Sequence, residues 1–361
     1  MAVEVLLTLK RSDTSSTPTP TPVALASVQP RDTTDLPAAG CIRAISAIPL
    51  YLKRRALPSI KDATKTLAFS PDIVPHGSRP LDAATLIGEY NQFIGLPLEQ
   101  GSANVVQIRA TTASSITPVA RATVSLRSID SHLILWPQRW SSRTPISPTS
   151  VTINSLTPNK VVAFGDPFVF IPNSMANGYH HALIAVQGTG SFPPTPPNDV
   201  KNWREFIDFI NNDTSTTFYN VVPVIENPMG HVVPISTRLA VIDDGTSDLN
   251  FYISLVHSNM PQGTIIKLWT PSGKISMNDT TLPEDGSDIG LHTSLQPGFD
   301  EEISLSIYPP SGARIQPFAW LSLRASIVVT QPTQSANIPI SNTYLLGAQN
   351  VVFNIDYPFA N

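Results

Sequence analysis

An all-β chain, organised as two antiparallel β-sandwiches in tandem, is what three features of this sequence predict. Short runs of alternating apolar and polar residues recur at roughly 8 to 12 residue spacing, the rhythm of a sandwich or barrel. The 35 prolines are about twice the usual ~5% share, and charged residues make up only 14% of the chain where ~25% is typical. Helical periodicity is convincing at one place only. With 361 residues the chain can bury two cores of ordinary size without disulfides, and its single cysteine, Cys41, allows no internal one.

Residues 1–69 read as an N-terminal strand, a Pro-rich arm and an irregular basic segment. Val3, Val5, Leu7 and Leu9 alternate and could add as an edge strand to another sheet. Residues 12–22, with Pro18, Pro20 and Pro22, are low-complexity and extended, an arm able to reach a neighbouring subunit. Residues 41–48 fit strand or short helix, and Pro49 and Pro58 break whatever forms. Lys53, Arg54, Arg55, Lys61 and Lys65 could make a small anionic contact; a solvated basic face is the simpler reading.

The first sandwich is expected over 70–190, with strands at 104–110, 121–127, 133–136, 151–153, 160–164 and 181–187. The polar stretch 111–118 has the length of a hairpin connection. Residues 191–217 form a Pro-rich linker and the one helix, where Trp203, Phe206, Ile207 and Ile210 fall at i, i+3, i+4 and i+7. Asn198 or Asp199 is a ready N-cap, and Asn211 with Asn212 a stop. The second sandwich is expected over 218–361, with strands at 218–225, 238–242, 249–256, 264–269, 302–308, 319–329 and 350–355. Gly245, Gly273, Gly286 and Gly312 mark turns suited to positive φ.

Particular words carry a resemblance. Asn104-Val-Val-Gln-Ile-Arg-Ala110, Leu133-Ile-Leu-Trp-Pro137 with Trp140, His180-His-Ala-Leu-Ile-Ala185, and the segment from Asn211-Asn212 to Asn220-Val-Val222 resemble the paired immunoglobulin-like, CARDB-related domains of uncharacterised bacterial proteins. The resemblance spans about residues 70 to 260 and implies immunoglobulin-like sandwiches. It implies no activity, since such pairs occur as tails on secreted enzymes and as stand-alone proteins.

Candidate chemistry is sparse. A formal net charge of -4 leaves no electrostatic footprint for nucleic acid. No apolar run approaches the ~20 residues of a membrane span. Glu4 stands where a signal peptide has its basic region, so the expectation is a chain made in the cytoplasm, staying there or released without a Sec signal. His180 and His181 are adjacent on a strand and so face opposite sides, which argues against a shared zinc. Asp243, Asp244 and Asp248 in one loop, and Asp285 and Asp288 in another, are weak calcium candidates; neither loop has the EF-hand pattern, and solvated Asp-Gly turns explain them more simply. No Gly-x-Ser-x-Gly occurs and no histidine is tied by spacing to Cys41, so no catalytic residue is assigned and no cofactor is expected. Of the tryptophans, Trp140 lies beyond Pro137 and is the one expected at a surface.

The reading that follows is a non-catalytic structural or interaction protein that self-associates, its partner another copy or another protein. A secreted toxin component or adhesin binding a host surface protein or glycan is the alternative. A capsid-like shell protein comes third, because a Pro-rich arm precedes β-sandwiches but lacks the basic density that packaging nucleic acid needs.

Overall fold

Period-two runs with one apolar face become strands when a second sheet covers that face, and this chain supplies the cover four times over. The computed structural model describes residues 50–52, 70–90, 94–96, 98–99, 101–113, 121–142, 144–154, 156–172, 181–188, 199–221, 224–225, 233–317, 319–331 and 340–353. Residues 47–361 form one compact unit. The sheets are antiparallel throughout except where the strand at Val224–Ile225 runs parallel to the last one.

The first half comprises β1 (Leu50–Tyr51), β2 (Ile73–Pro75), α1 (Ala83–Gly88), β3 (Asn104–Thr112), β4 (Ala122–Asp130), β5 (Thr144–Pro145), β6 (Val151–Ile153), β7 (Val161–Ala163), β8 (Phe168–Phe170), β9 (His181–Gly188), α2 (Trp203–Asn212) and β10 (Thr216–Asn220). One sheet gathers β1, β2, β7 and β8 around β3; the other runs β10-β9-β4-β5, with β6 also on β4. Ile73, Val106, Ile108 and Phe168 of the first meet Val124, Leu126, Leu183 and Ala185 of the second.

The second half comprises β11 (Val224–Ile225), β12 (Val233–Ala240), β13 (Leu249–Ser258), β14 (Ile265–Trp269), β15 (Ser276–Thr281), β16 (Asp288–Leu295), β17 (Asp300–Tyr308), β18 (Trp320–Gln331) and β19 (Ile340–Phe353). Its sheets are β11-β19-β18-β13-β16 and β12-β17-β14-β15. The alternation of Phe251, Ile253 and Leu255 against Ile303, Leu305 and Ile307 builds the core between them. That cluster does not stop at the half's edge. It continues through Trp203, Phe206 and Phe209 of α2 to Ala182, Ile184 and Val186 of β9.

Strand β9 therefore faces two cores, which is why residues 182–188 are buried without alternation.

Several expectations are revised. Residues 104–112 and 122–130 are not a hairpin: β3 and β4 lie in different sheets. Residues 133–136 are irregular and buried, not a strand. The run expected as one strand at 218–225 is two strands, β10 pairing with β9 and β11 with β19. Strands β15 and β16, at sheet edges, are additional to the expected set; β15 is mostly polar, whereas β16 places Ile289, Leu291 and Leu295 on one face toward the core. Val3, Val5, Leu7, Leu9, Pro18, Pro20 and Pro22 lie outside the described residues, as do Cys41 and His180.

Candidate functional site

The helix at the joint forms where its apolar stripe predicts. Its N-cap is Asn202, not Asn198 or Asp199: Oδ1 accepts from the backbone N–H of Arg204 at 3.1 Å and Glu205 at 3.0 Å. Below it the chain leaves β4 as an irregular segment whose large side chains become the other side of the joint. The Trp136 and Phe206 rings lie 4.7 Å apart, and Trp140 packs 6.1 Å from Phe209 and 6.2 Å from Phe218. Trp140 is fully buried, so its expected surface position is wrong: the short 3-10 turn Pro137–Ser142 folds it under α2 instead of out to solvent.

An irregular buried segment must find partners for its backbone, and here the second half provides them. Leu133 donates its N–H to Arg238 O at 2.8 Å, and Trp136 Nε1 donates to Ala240 O at 2.8 Å. Asn220 Nδ2 donates to His132 O at 3.1 Å and to Ala348 O at 2.8 Å, while Gln349 Nε2 donates to Val221 O at 3.2 Å. Ser131 Oγ lies 2.9 Å from Asn220 Oδ1 and 2.6 Å from Gln349 Oε1, and its single proton serves one of them at a time. Strand β19 comes so close that a Cβ on Gly347 would stand 1.9 Å from Leu133 O.

Charge closes the joint at its rim. Asp300 of β17 accepts from Arg139 Nη2 at 2.6 Å through one oxygen and from Arg238 Nε at 2.6 Å through the other. Burial pushes the Asp300 carboxyl up, and the hydrogen bonds and charges of the two arginines more than reverse this, holding it below the usual carboxylate range. Beside them sits His132, bridged in parallel to Arg238 through its backbone.

The carboxylates of the two acidic loops bond mainly to their own turns and neighbours. Asp243 Oδ1 accepts from Gly245 N at 2.8 Å, and Asp244 Oδ1 accepts from Asn202 Nδ2 at 3.2 Å, tying that loop to the helix cap. Asp248 faces Ser294 Oγ at 3.4 Å. Asp285 accepts from Asn259 N at 2.7 Å and Ser258 Oγ at 3.0 Å, and Asp288 from the Tyr252 hydroxyl at 3.1 Å. The two loops sit at opposite ends of the β13–β16 pairing, so their carboxylates do not meet. Among the described residues no three His, Cys, Asp or Glu side chains converge. His181 packs edge-on against Phe170, ring centres 5.2 Å apart.

What sequence reasoning missed is the loop end of the second half. The turn after β13 and the connection between β17 and β18 enclose an open depression of about 490 Å³, lined by Asn259, Met260, Pro261, Ala313, Arg314 and Gln316. Asp285 fixes its floor by holding the Asn259 backbone, whose φ of 58° is left-handed. Ile315 is fully buried and anchors the opposite wall, while Arg314 and Gln316 on either side of it are exposed. Among the described residues Arg314 has no ion-pair partner. Only an Arg-Ile-Gln alternation inside a Pro-rich loop could have signalled it.

No family model and no curated protein matches this chain. Solved structures that align with it include AvmM, described as catalysing macrocyclization in alchivemycin A biosynthesis, at TM-score 0.21 and 9% identity over 35% of this chain and 85% of that one. The CupB6 tip adhesin of Pseudomonas aeruginosa aligns at TM-score 0.18 and 9% identity, over 78% of this chain and 96% of that one. The collagen adhesin of S. aureus aligns at TM-score 0.18 and 8% identity, over 70% and 91%. With scores this low, none of them bears on what this chain does. Among the described residues no helix is long and apolar enough to cross a membrane.

Proposed function

We propose that this chain is a non-catalytic structural and interaction protein: a stiff β-scaffold that works by contact with another macromolecule, a second copy of itself included. The observation that supports this is where the polar groups of the joint go. Ser131, Asn220 and Gln349, and Asp300 with its two arginines, all join one half to the other. Polar groups placed to fix architecture make a rigid support for surface contacts.

Self-association is the finer part of the reading. It rests on the N-terminal alternation of Val3, Val5, Leu7 and Leu9, a strand able to extend a sheet edge, and on the terminal positions of β15 and β16 in their sheets. Size exclusion with light scattering tests it. The expected result is an oligomer of the 39.0 kDa chain that falls to a monomer when residues 1–36 are deleted; a full-length monomer at every concentration contradicts it.

A second reading, an adhesin or toxin component that binds a host protein or glycan, draws its support from the Arg314 depression. An exposed guanidinium beside the Asn259 and Gln316 amides suits a carboxylate-bearing sugar or an acidic side chain. Glycan-array and cell-surface binding that Arg314→Glu abolishes would favour it; equal binding by the variant would remove the depression from the account.

A further inference from the structure

We propose that His132 makes the joint between the two halves acid-sensitive: the joint is locked while the imidazole is neutral and loosens when it takes a proton. The geometry is that of a cation trap already full. Asp300 is shared by Arg139 from the 3-10 turn and Arg238 from β12, both at 2.6 Å, each of its oxygens already accepting from one guanidinium. His132 lies in the same crossing, its backbone bridged to Arg238 and its carbonyl held by Asn220. Its Nδ1 is buried and has no hydrogen-bond partner.

The charged groups that act on the ring are Arg139, Asp300 of β17, Arg238 of β12 and Asp130, which ends its own strand. Glu302 stands opposite Arg238 in the β12–β17 register. With the ring neutral, the four nearest charges sum to zero. A proton on it sets a third cation beside two arginines and turns Nδ1 into a buried donor with no acceptor. Burial pushes the imidazole pKa down, Arg139 and Arg238 push the same way, and Asp300 and Asp130 oppose them.

The sign follows from linkage. The unfolded or opened segment binds a proton at the ordinary histidine pKa of about 6.5, whereas the closed joint resists it. The stabilisation is therefore complete above that value and is lost as pH falls through it toward the lowered one. The bonds most directly released are Leu133 N–H to Arg238 O and Trp136 Nε1–H to Ala240 O, which tie the segment after His132 to β12.

The test is hydrogen exchange of the Leu133 amide in the full chain at pH 7.5 and 5.5, corrected for intrinsic rates and compared with an amide in the middle of β13. The proposal expects protection at Leu133 to fall by about five- to tenfold at the lower pH, tenfold being one pKa unit of differential proton binding, while β13 changes less. His132→Gln puts a neutral polar side chain in place of the ring and should abolish the fall; His257→Gln, which removes a buried histidine far from Leu133 in sequence, should leave it intact. An unchanged Leu133 amide in the wild-type chain, or the same fall in His132→Gln, overturns the proposal. Should His132→Gln not fold, the wild-type chain decides by NMR titration of the His132 ring. A ring midpoint that coincides with that of the Leu133 exchange supports the proposal, and one that differs overturns it.

Discussion

The joint and the loop end of the second half are built from the same residue types and put them to opposite use. At the joint, arginines, amides and a carboxylate are taken up by bonds within the protein: Asn220 alone serves two backbone carbonyls. At the loop end, Asn259, Arg314 and Gln316 line an open depression. The difference shows what a polar residue is for in this fold. Where irregular backbone is buried, it supplies the missing ladder; where a turn reaches solvent, it stays exposed.

Substitutions can break that contrast, beginning with the deepest. Phe206 is fully buried between Trp136, Phe209 and the sheets, so Phe206→Ala is expected to cost about 3–5 kcal/mol by denaturant unfolding. Gly347→Ala would drive a methyl into Leu133 O, and overpacking of this kind costs about 1–3 kcal/mol. Its distinctive sign is loss of exchange protection at Leu133, ahead of any change in β13.

At the half-exposed rim, Asp300→Asn is expected to cost about 1–2 kcal/mol, discounted from the ~1.5–3 of charged hydrogen bonds because solvent screens the pair. The wild-type carboxyl sits below its ordinary value, so its share of stability is present above pH ~4 and is lost as pH falls through the lowered one. Unfolding midpoints followed from pH 5 to 3 should drop more steeply in the wild type than in Asp300→Asn. Arg314→Ala marks the other end of the comparison: a change within about 0.5 kcal/mol, with the cost appearing only in binding.

Much of the fold was legible because period-two runs and one amphipathic stripe are local signals. The run at 249–256 and the stripe of Trp203, Phe206, Ile207 and Ile210 needed no tertiary information to be read. The joint was not legible, for a physical reason. Leu133, Ile134, Leu135 and Trp136 form an apolar run that a strand would explain, and only the carbonyls offered by β12 make an irregular path stable there. Trp140 misled in the same way, since Pro137 signals a chain break but not which side of the break is covered. The hairpin expected across 111–118 failed because the length of a polar connection does not say whether the strands on either side of it share a sheet.

Calorimetry of the intact chain tests most directly whether the joint welds the halves into one body. The account predicts a single endotherm whose calorimetric and van't Hoff enthalpies agree, because the second hydrophobic cluster runs unbroken from β9 through α2 into the second half. Two resolved transitions, or a calorimetric enthalpy about twice the van't Hoff value, would mean that the sandwiches unfold independently and that the joint is contact without coupling.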